Sequence, residues 1–256
     1  MPTLIARLLG RVLRGAIALI LRVRRPRPIH PHGLLLRGEV EWMPGAPASG
    51  ITWIDQPAGT RAPTRARLSR SVGLPPLLPD VIGLALRADT GDGGFGDLEL
   101  ATTGRGVPGR FLLLPRWTVS QATFATLLPY RTDAGPVHVS ARRSGRRLPA
   151  DLTALRHVLA SEPRRLELSF AHGSGPWHPF AVVALRVDRD QDDRMMRFDA
   201  VRHAIPGAGT YEVVRLLRQP SYRMAQDGPG RTTKAPRGQR RAFGARIREW
   251  ASRRSR

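Results

Sequence analysis

No cysteine occurs among the 256 residues, which excludes a disulfide framework, a thiolate nucleophile and cysteine-built zinc or iron–sulfur centres. Folding makes no demand on an oxidising compartment, and a reducing cytoplasm is the expected location. Acidic residues are scarce, 20 against 42 Lys and Arg, so the chain carries a net charge of +22. Aromatic residues make up only 6%. With no helix-turn-helix, zinc-finger or aromatic RNA-binding signature, this charge supports only non-specific attraction to nucleic acid. Long apolar runs are missing as well. Within residues 3–23 the longest uncharged stretch, Gly15 to Leu21, falls far short of the ~20 residues that a bilayer-spanning helix needs.

The basic excess sits at the ends. Residues 1–27 hold seven arginines and no acid, and residues 231–256 hold ten Lys or Arg against Glu249; the two segments contribute +7 and +9 and leave +6 for the middle. In the first segment Leu4, Leu8 and Val12 fall on one helical side and Arg7, Arg11 and Arg14 on the opposite one. That is the pattern of a basic amphipathic helix, suited to an anionic membrane surface at the inner face or to covering a sheet. Arginines running through the apolar stretch, and again at Arg22, Arg24 and Arg25, argue against a signal peptide. The last segment reads as a mobile basic tail.

Between these ends, 26 glycines and 23 prolines in the whole chain predict many turns and short elements. Strand patterns recur at Leu34 to Trp42, Arg65 to Ser69, Val81 to Arg87, Leu98 to Leu100, Phe111 to Leu114, Val137 to Ala141, Leu166 to Phe170 and Phe180 to Val187. Residues 91–96, GDGGFG, form a hairpin turn, and Met43 to Gly59 a loop with one short strand. Ala150 to Ala160 has helical spacing, and Tyr211 to Gln226 begins as a helix. Regularly spaced short strands with helices at the ends predict an antiparallel β-barrel or sandwich. The expected layout is an amphipathic helix at 1–27, one barrel domain at 28–230 and the tail at 231–256.

His30 is the focal residue. Pro28 and Pro31 are expected to hold it extended, at the entry of the Leu34 strand, where an imidazole faces either core or pocket; His32 competes for any role assigned to it. His172 and His178 flank a Gly/Pro turn without ligand-spaced partners, and His138, His157 and His203 stand isolated.

Four pieces resemble the haem catalases and their catalase-like relatives. Arg27-Pro-Ile-His30, with Gly33 and Gly38 following, is similar to their distal-histidine segment. Arg67-Leu-Ser69 and Pro79-Asp80-Val-Ile-Gly83-Leu-Ala85 resemble the family's Arg-Phe-Ser and Pro-Asp-x-x-Gly-Phe-Ala. Asp97-Leu98 looks like the Asp-Leu that comes next. Phe198-Asp199, Pro206-Gly207 and Arg218-Gln-Pro-Ser-Tyr222 resemble the proximal segment. The resemblance implies an α+β fold, mainly an antiparallel β-barrel of the haem-catalase type with peripheral helices and basic terminal extensions. It also implies haem as cofactor and hydrogen peroxide or an organic or lipid hydroperoxide as substrate, with a haem-free scaffold, membrane-peripheral or partner-binding, as the alternative.

In that frame Tyr222 would be the iron ligand, with Arg218 one helical turn away lowering the phenol's pKa. His30 would move a proton between the two peroxide oxygens with its ring oriented by Ser69, and Arg27 and Arg67 would pair with haem propionates. Active catalases carry an asparagine shortly after the Asp-Leu. This chain has Glu99-Leu-Ala101-Thr102-Thr103 there, and the Thr102 hydroxyl is the donor expected in its place.

Overall fold

A computed structural model describes residues 30, 33–75, 77–90, 93–143, 152–190, 193 and 196–216. The amphipathic segment at 1–27, Arg27, Arg218, Tyr222 and the basic tail lie outside the described residues.

Ten strands form one sheet: β1 (Gly33–Trp42), β2 (Arg61–Arg70), β3 (Ile82–Asp89), β4 (Phe95–Thr103), β5 (Thr123–Ala125), β6 (Tyr130–Thr132), β7 (Gly135–Arg143), β8 (Arg164–His172), β9 (His178–Val187) and β10 (Gly209–Thr210). Eight of them close on themselves, because β1 pairs with both β2 and β9, and the antiparallel ladder continues through β3, β4, β5, β7 and β8 back to β9. The expected barrel is therefore the fold, and closure removes the unpaired edges of the eight strands. β6 and β10 add a short flap on the β7 side.

Period-two alternation determines which side chains fill the interior. Leu34, Leu36, Val40 and Trp42 of β1, Leu84 and Leu86 of β3, and Leu98 and Leu100 of β4 face a core that Phe124, Phe170 and Phe180 complete. Full burial of a leucine side chain stabilises by about 1.5–3 kcal/mol, so the alternation of each strand is strongly held in register. Trp42 packs edge-on against Trp53 at 5.3 Å and donates its indole N–H to the Trp53 carbonyl at 2.9 Å. The loop expected to carry a short strand between Met43 and Gly59 instead folds as turns that lay Ile51, Trp53 and Ile54 into the core.

Gly38 permits β1 to approach β9. A Cβ there would stand 1.8 Å from the Ala184 carbonyl oxygen, a backbone atom that cannot swing aside. Gly38→Ala is accordingly expected to destabilise the barrel by more than ~2 kcal/mol, within the upper range for overpacking in a tight core, read as a lowered midpoint in urea.

The helix expected at Ala150 to Ala160 is α1 (Leu152–Ser161), with Leu155 and Leu159 buried. Residues 212–216 begin the helix expected after Thr210. Phe111 to Leu114 is not a strand. Gly109–Phe111 is a single 3-10 turn, Leu113 makes one isolated bridge to Thr103, and Phe111, Leu112 and Leu113 are exposed. The run is apolar but has no neighbouring strand to pair with along its length, and hydrophobic content alone does not make a ladder.

Candidate functional site

The outward face of β1 to β4 is where the site is built. Ladder register aligns Gly33, Ser69, Gly83 and Ala101 in one row across the four strands, and Leu35, Arg67, Ala85 and Glu99 in the next. The first row is made of small residues, and His30 lies over it. Its ring meets Gly83 so closely that a Cβ on that glycine would sit 2.7 Å from Cε1. Gly83, expected to allow a close backbone approach, in fact admits an imidazole.

Hydrogen bonds at its backbone and its ring hold His30. Its backbone N–H donates to the Ser71 carbonyl at 2.7 Å, its carbonyl accepts from Arg67 Nη2 at 3.0 Å, and its Nδ1 shares a hydrogen with Ser69 Oγ at 2.9 Å. The structure thus brings His30 and Ser69 together. The extended backbone expected of His30 is not what forms: its φ is +55°, in the left-handed region. A non-glycine residue there carries about 1–2 kcal/mol of strain, and the hydrogen bonds at its N–H and C=O offset it. Strain of this kind concentrates at functional sites.

Arg67 is brought to the same place, but its guanidinium is engaged. Nε and Nη2 form a two-pronged pair with Asp193 at 2.5 and 3.0 Å, and the group lies over Gly33, where a Cβ would be 2.5 Å from Cζ. The fork expected to face a propionate is occupied by a carboxylate of the same chain. Asp193 lies in the charged run RDQDDR, where nothing local distinguishes one carboxylate from its neighbours.

Thr102 is not brought to His30. It alternates with Leu98 and Leu100 onto the interior face of β4, fully buried, where its hydroxyl donates to the Leu114 carbonyl at 2.8 Å and accepts from the Ile82 N–H at 3.1 Å. Its donor is spent on tying the loop after β4 to the barrel. Ala101, which pairs with Gly83, occupies the outward position instead.

Below the His30 row, Arg87 and Asp97 face each other outward and are covered by residues 197–203. Arg87 holds both carboxylate oxygens of Asp97 at 2.6 Å and donates to the Arg197 carbonyl at 2.5 Å, with its guanidinium over Phe95 at 4.0 Å and near Phe198 at 5.1 Å. The Asp199 N–H closes on Asp97 at 2.8 Å, and the Asp199 carboxylate caps the N–H groups of Val201 and Arg202. Burial lowers the pKa of the adjacent His203 by more than Asp97, 3.9 Å away, raises it. Two of the motif pieces, Asp97-Leu98 and Phe198-Asp199, therefore meet in space as an anchor for the chain that crosses the barrel.

Asp80 has a similar structural task. Its carboxylate accepts from the N–H groups of Val72, Gly73 and Leu74 at 2.8–3.2 Å and lies 3.8 Å from the buried Arg70. His138, buried on β7, has its pKa lowered first by desolvation and further by Arg110, while its Nδ1 hydrogen bond to the Thr126 carbonyl works the other way. Among the described residues no cluster of three or more His, Cys, Asp or Glu could hold a metal ion. The residues fit a haem at the imidazole end, where His30 is oriented over a row of small residues; they do not supply the Arg67 or Thr102 contacts expected of it.

No family model matches the chain, and no curated protein does. Among solved structures it is similar to catalase A from Saccharomyces cerevisiae, at 10% identity and a TM-score of 0.57, over 82% of this chain. The chain spans 62% of the length of that catalase chain. At this identity the likeness establishes the fold: a catalase-like antiparallel β-barrel.

Proposed function

We propose that this is a catalase-like haem protein with a peroxide-related activity, in which His30 transfers the proton and a hydroperoxide is the substrate. The observation that carries this reading is the 2.9 Å hydrogen bond between Ser69 Oγ and His30 Nδ1 on the outer face of a catalase-like barrel. With Nδ1–H donating to Ser69, Nε2 can take a proton from one peroxide oxygen and return it to the other, and Ser69 stabilises the transient imidazolium by accepting the hydrogen bond from its Nδ1–H. Haem, when bound, would supply the redox chemistry at iron. Tyr222 would ligate that iron, with Arg218 favouring the phenolate and Arg27 pairing with a propionate. Vigorous catalase activity is not expected, because Thr102 faces the interior and Ala101 has no donor.

The engaged fork of Arg67 and the inward, already bonded hydroxyl of Thr102 favour the second reading, a haem-free scaffold. One experiment separates the two: purification after expression with added haem precursor, followed by an absorption spectrum. A Soret band is expected, and Tyr222→Phe should shift or abolish it. A colourless protein after reconstitution overturns the haem reading in favour of the scaffold, and a band unchanged in Tyr222→Phe overturns the ligand assignment.

A further inference from the structure

Eight of the nine large hydrophobic side chains exposed among the described residues lie in two loops at one end of the barrel. The loop between β2 and β3 presents Val72, Leu77 and Leu78; the loop between β4 and β5 presents Leu112, Leu113 and Trp117, and also Val107 and Phe111 in a stretch that packs against the turn between β8 and β9 and against His138. Leu77 is 87% exposed and Trp117 55%. Both loops leave the ends of β2 and β4 that point the same way, beside the start of β1 and His30.

We propose that these two loops are a lipid-docking surface that seats the barrel on an anionic bilayer. Contiguous exposed apolar patches of this kind mark interaction sites, and here the scaffold beneath is built to keep them outward. Asp80 and Arg116 exchange backbone hydrogen bonds at 3.1 and 2.8 Å, locking the loops together. The Asp80 carboxylate caps the first turn of one loop, and buried Arg70 donates to the carbonyls of Pro75 and Leu78. These bonds fix the base from which the leucines project.

Charge favours lipid over a partner of mixed polarity. Residues 71–79 and 104–118 contain no acidic side chain, while Arg105 is exposed and Arg116 half-buried at the rim. An exposed tryptophan beside arginine at the edge of an apolar patch is the composition of a membrane–water interface. The chain then leads from His30, whose N–H is pinned to Ser71 in the first loop, directly into the basic residues 1–27. Two weak signals, one apolar and one polybasic, together give stable attachment where either alone is marginal. The docking does not depend on the peroxide reading. Only the choice of a lipid hydroperoxide, delivered from the bilayer to the rim where His30 sits, rests on it.

The test is co-sedimentation of the full chain with phosphatidylcholine vesicles with and without phosphatidylglycerol. The wild type is expected to bind the anionic vesicles. The variant Leu77→Ser/Leu112→Ser/Trp117→Ser, altered only at exposed positions and verified as folded by circular dichroism, is expected to lose affinity by roughly tenfold or more. In about 1 M salt, where surface charge is screened, residual binding should persist in the wild type and vanish in the variant. Equal binding by both proteins would assign attachment to the basic segments alone and overturn the proposal. So would an absence of vesicle binding, or self-association without vesicles that the same three substitutions abolish, since the patch would then be a contact between copies.

Discussion

Arg87→Met is expected to cost about 3–5 kcal/mol of unfolding free energy, the range for stripping one partner from a buried ion pair. The Asp97 side chain is fully buried and that of Arg87 is 14% exposed. Without the guanidinium the carboxylate would retain only the Asp199 N–H and the distant His203, and it would have to stay charged without compensation or take up a proton. Loss of the stack over Phe95 and of the donor to the Arg197 carbonyl adds to the effect and loosens residues 197–203. Arg87→Lys should fall between, because an ammonium keeps the charge but cannot reach both oxygens and the carbonyl in one plane. The double variant Arg87→Met/Asp97→Leu should recover much of the loss, since replacing both partners removes the unpaired charge. Urea titration measures all four proteins. A loss below about 1 kcal/mol for Arg87→Met would class the pair with solvated surface bridges.

Legibility in the sequence tracked how local each determinant is. Strands such as β1, β2, β7 and β9 are legible because an inward-facing small or apolar residue recurs at every second position along much of their length, even where both faces are buried. Arg65, Arg67 and Ser69 could be assigned to a common face from spacing alone. The three-residue β5 and β6 are too short to show a period, and they exist because neighbouring strands supply their partners. Phe111 to Leu114 misled for the opposite reason, being a strong apolar signal that meets β4 at only one bridge and forms no ladder.

The candidate site was partly visible for the same reason. The imidazole and the serine that meets it could be found by resemblance. What surrounds them is set by distant segments: Asp193 reaches Arg67 across 126 positions of sequence. The inward turn of Thr102 follows from the register of β4, which a single misjudged residue would reverse. The backbone of His30 departs from its proline-biased expectation because tertiary hydrogen bonds to Ser71 and Arg67 outweigh a local preference.

The second large effect concerns the chemistry proposed for His30. If its Nε2 carries the proton between hydroperoxide oxygens, His30→Ala in the haem-loaded chain should reduce turnover by about 10²–10⁴-fold, the usual range for removing a positioned acid–base group, with most of the change in kcat. Ser69→Ala leaves the imidazole in place but removes its 2.9 Å partner, so ring orientation and imidazolium stabilisation suffer while the proton carrier remains. A smaller loss, on the order of tenfold, with an altered pH profile marks that positioning role. Gly83→Ala forces a methyl to 2.7 Å from Cε1, and the movable ring rather than the strand must yield. It should therefore imitate His30→Ala in rate while leaving the urea midpoint nearly unchanged. Equal turnover in the wild type and His30→Ala would show that the imidazole is a packed strut over Gly83, and the proton route would then have to be sought elsewhere on the barrel.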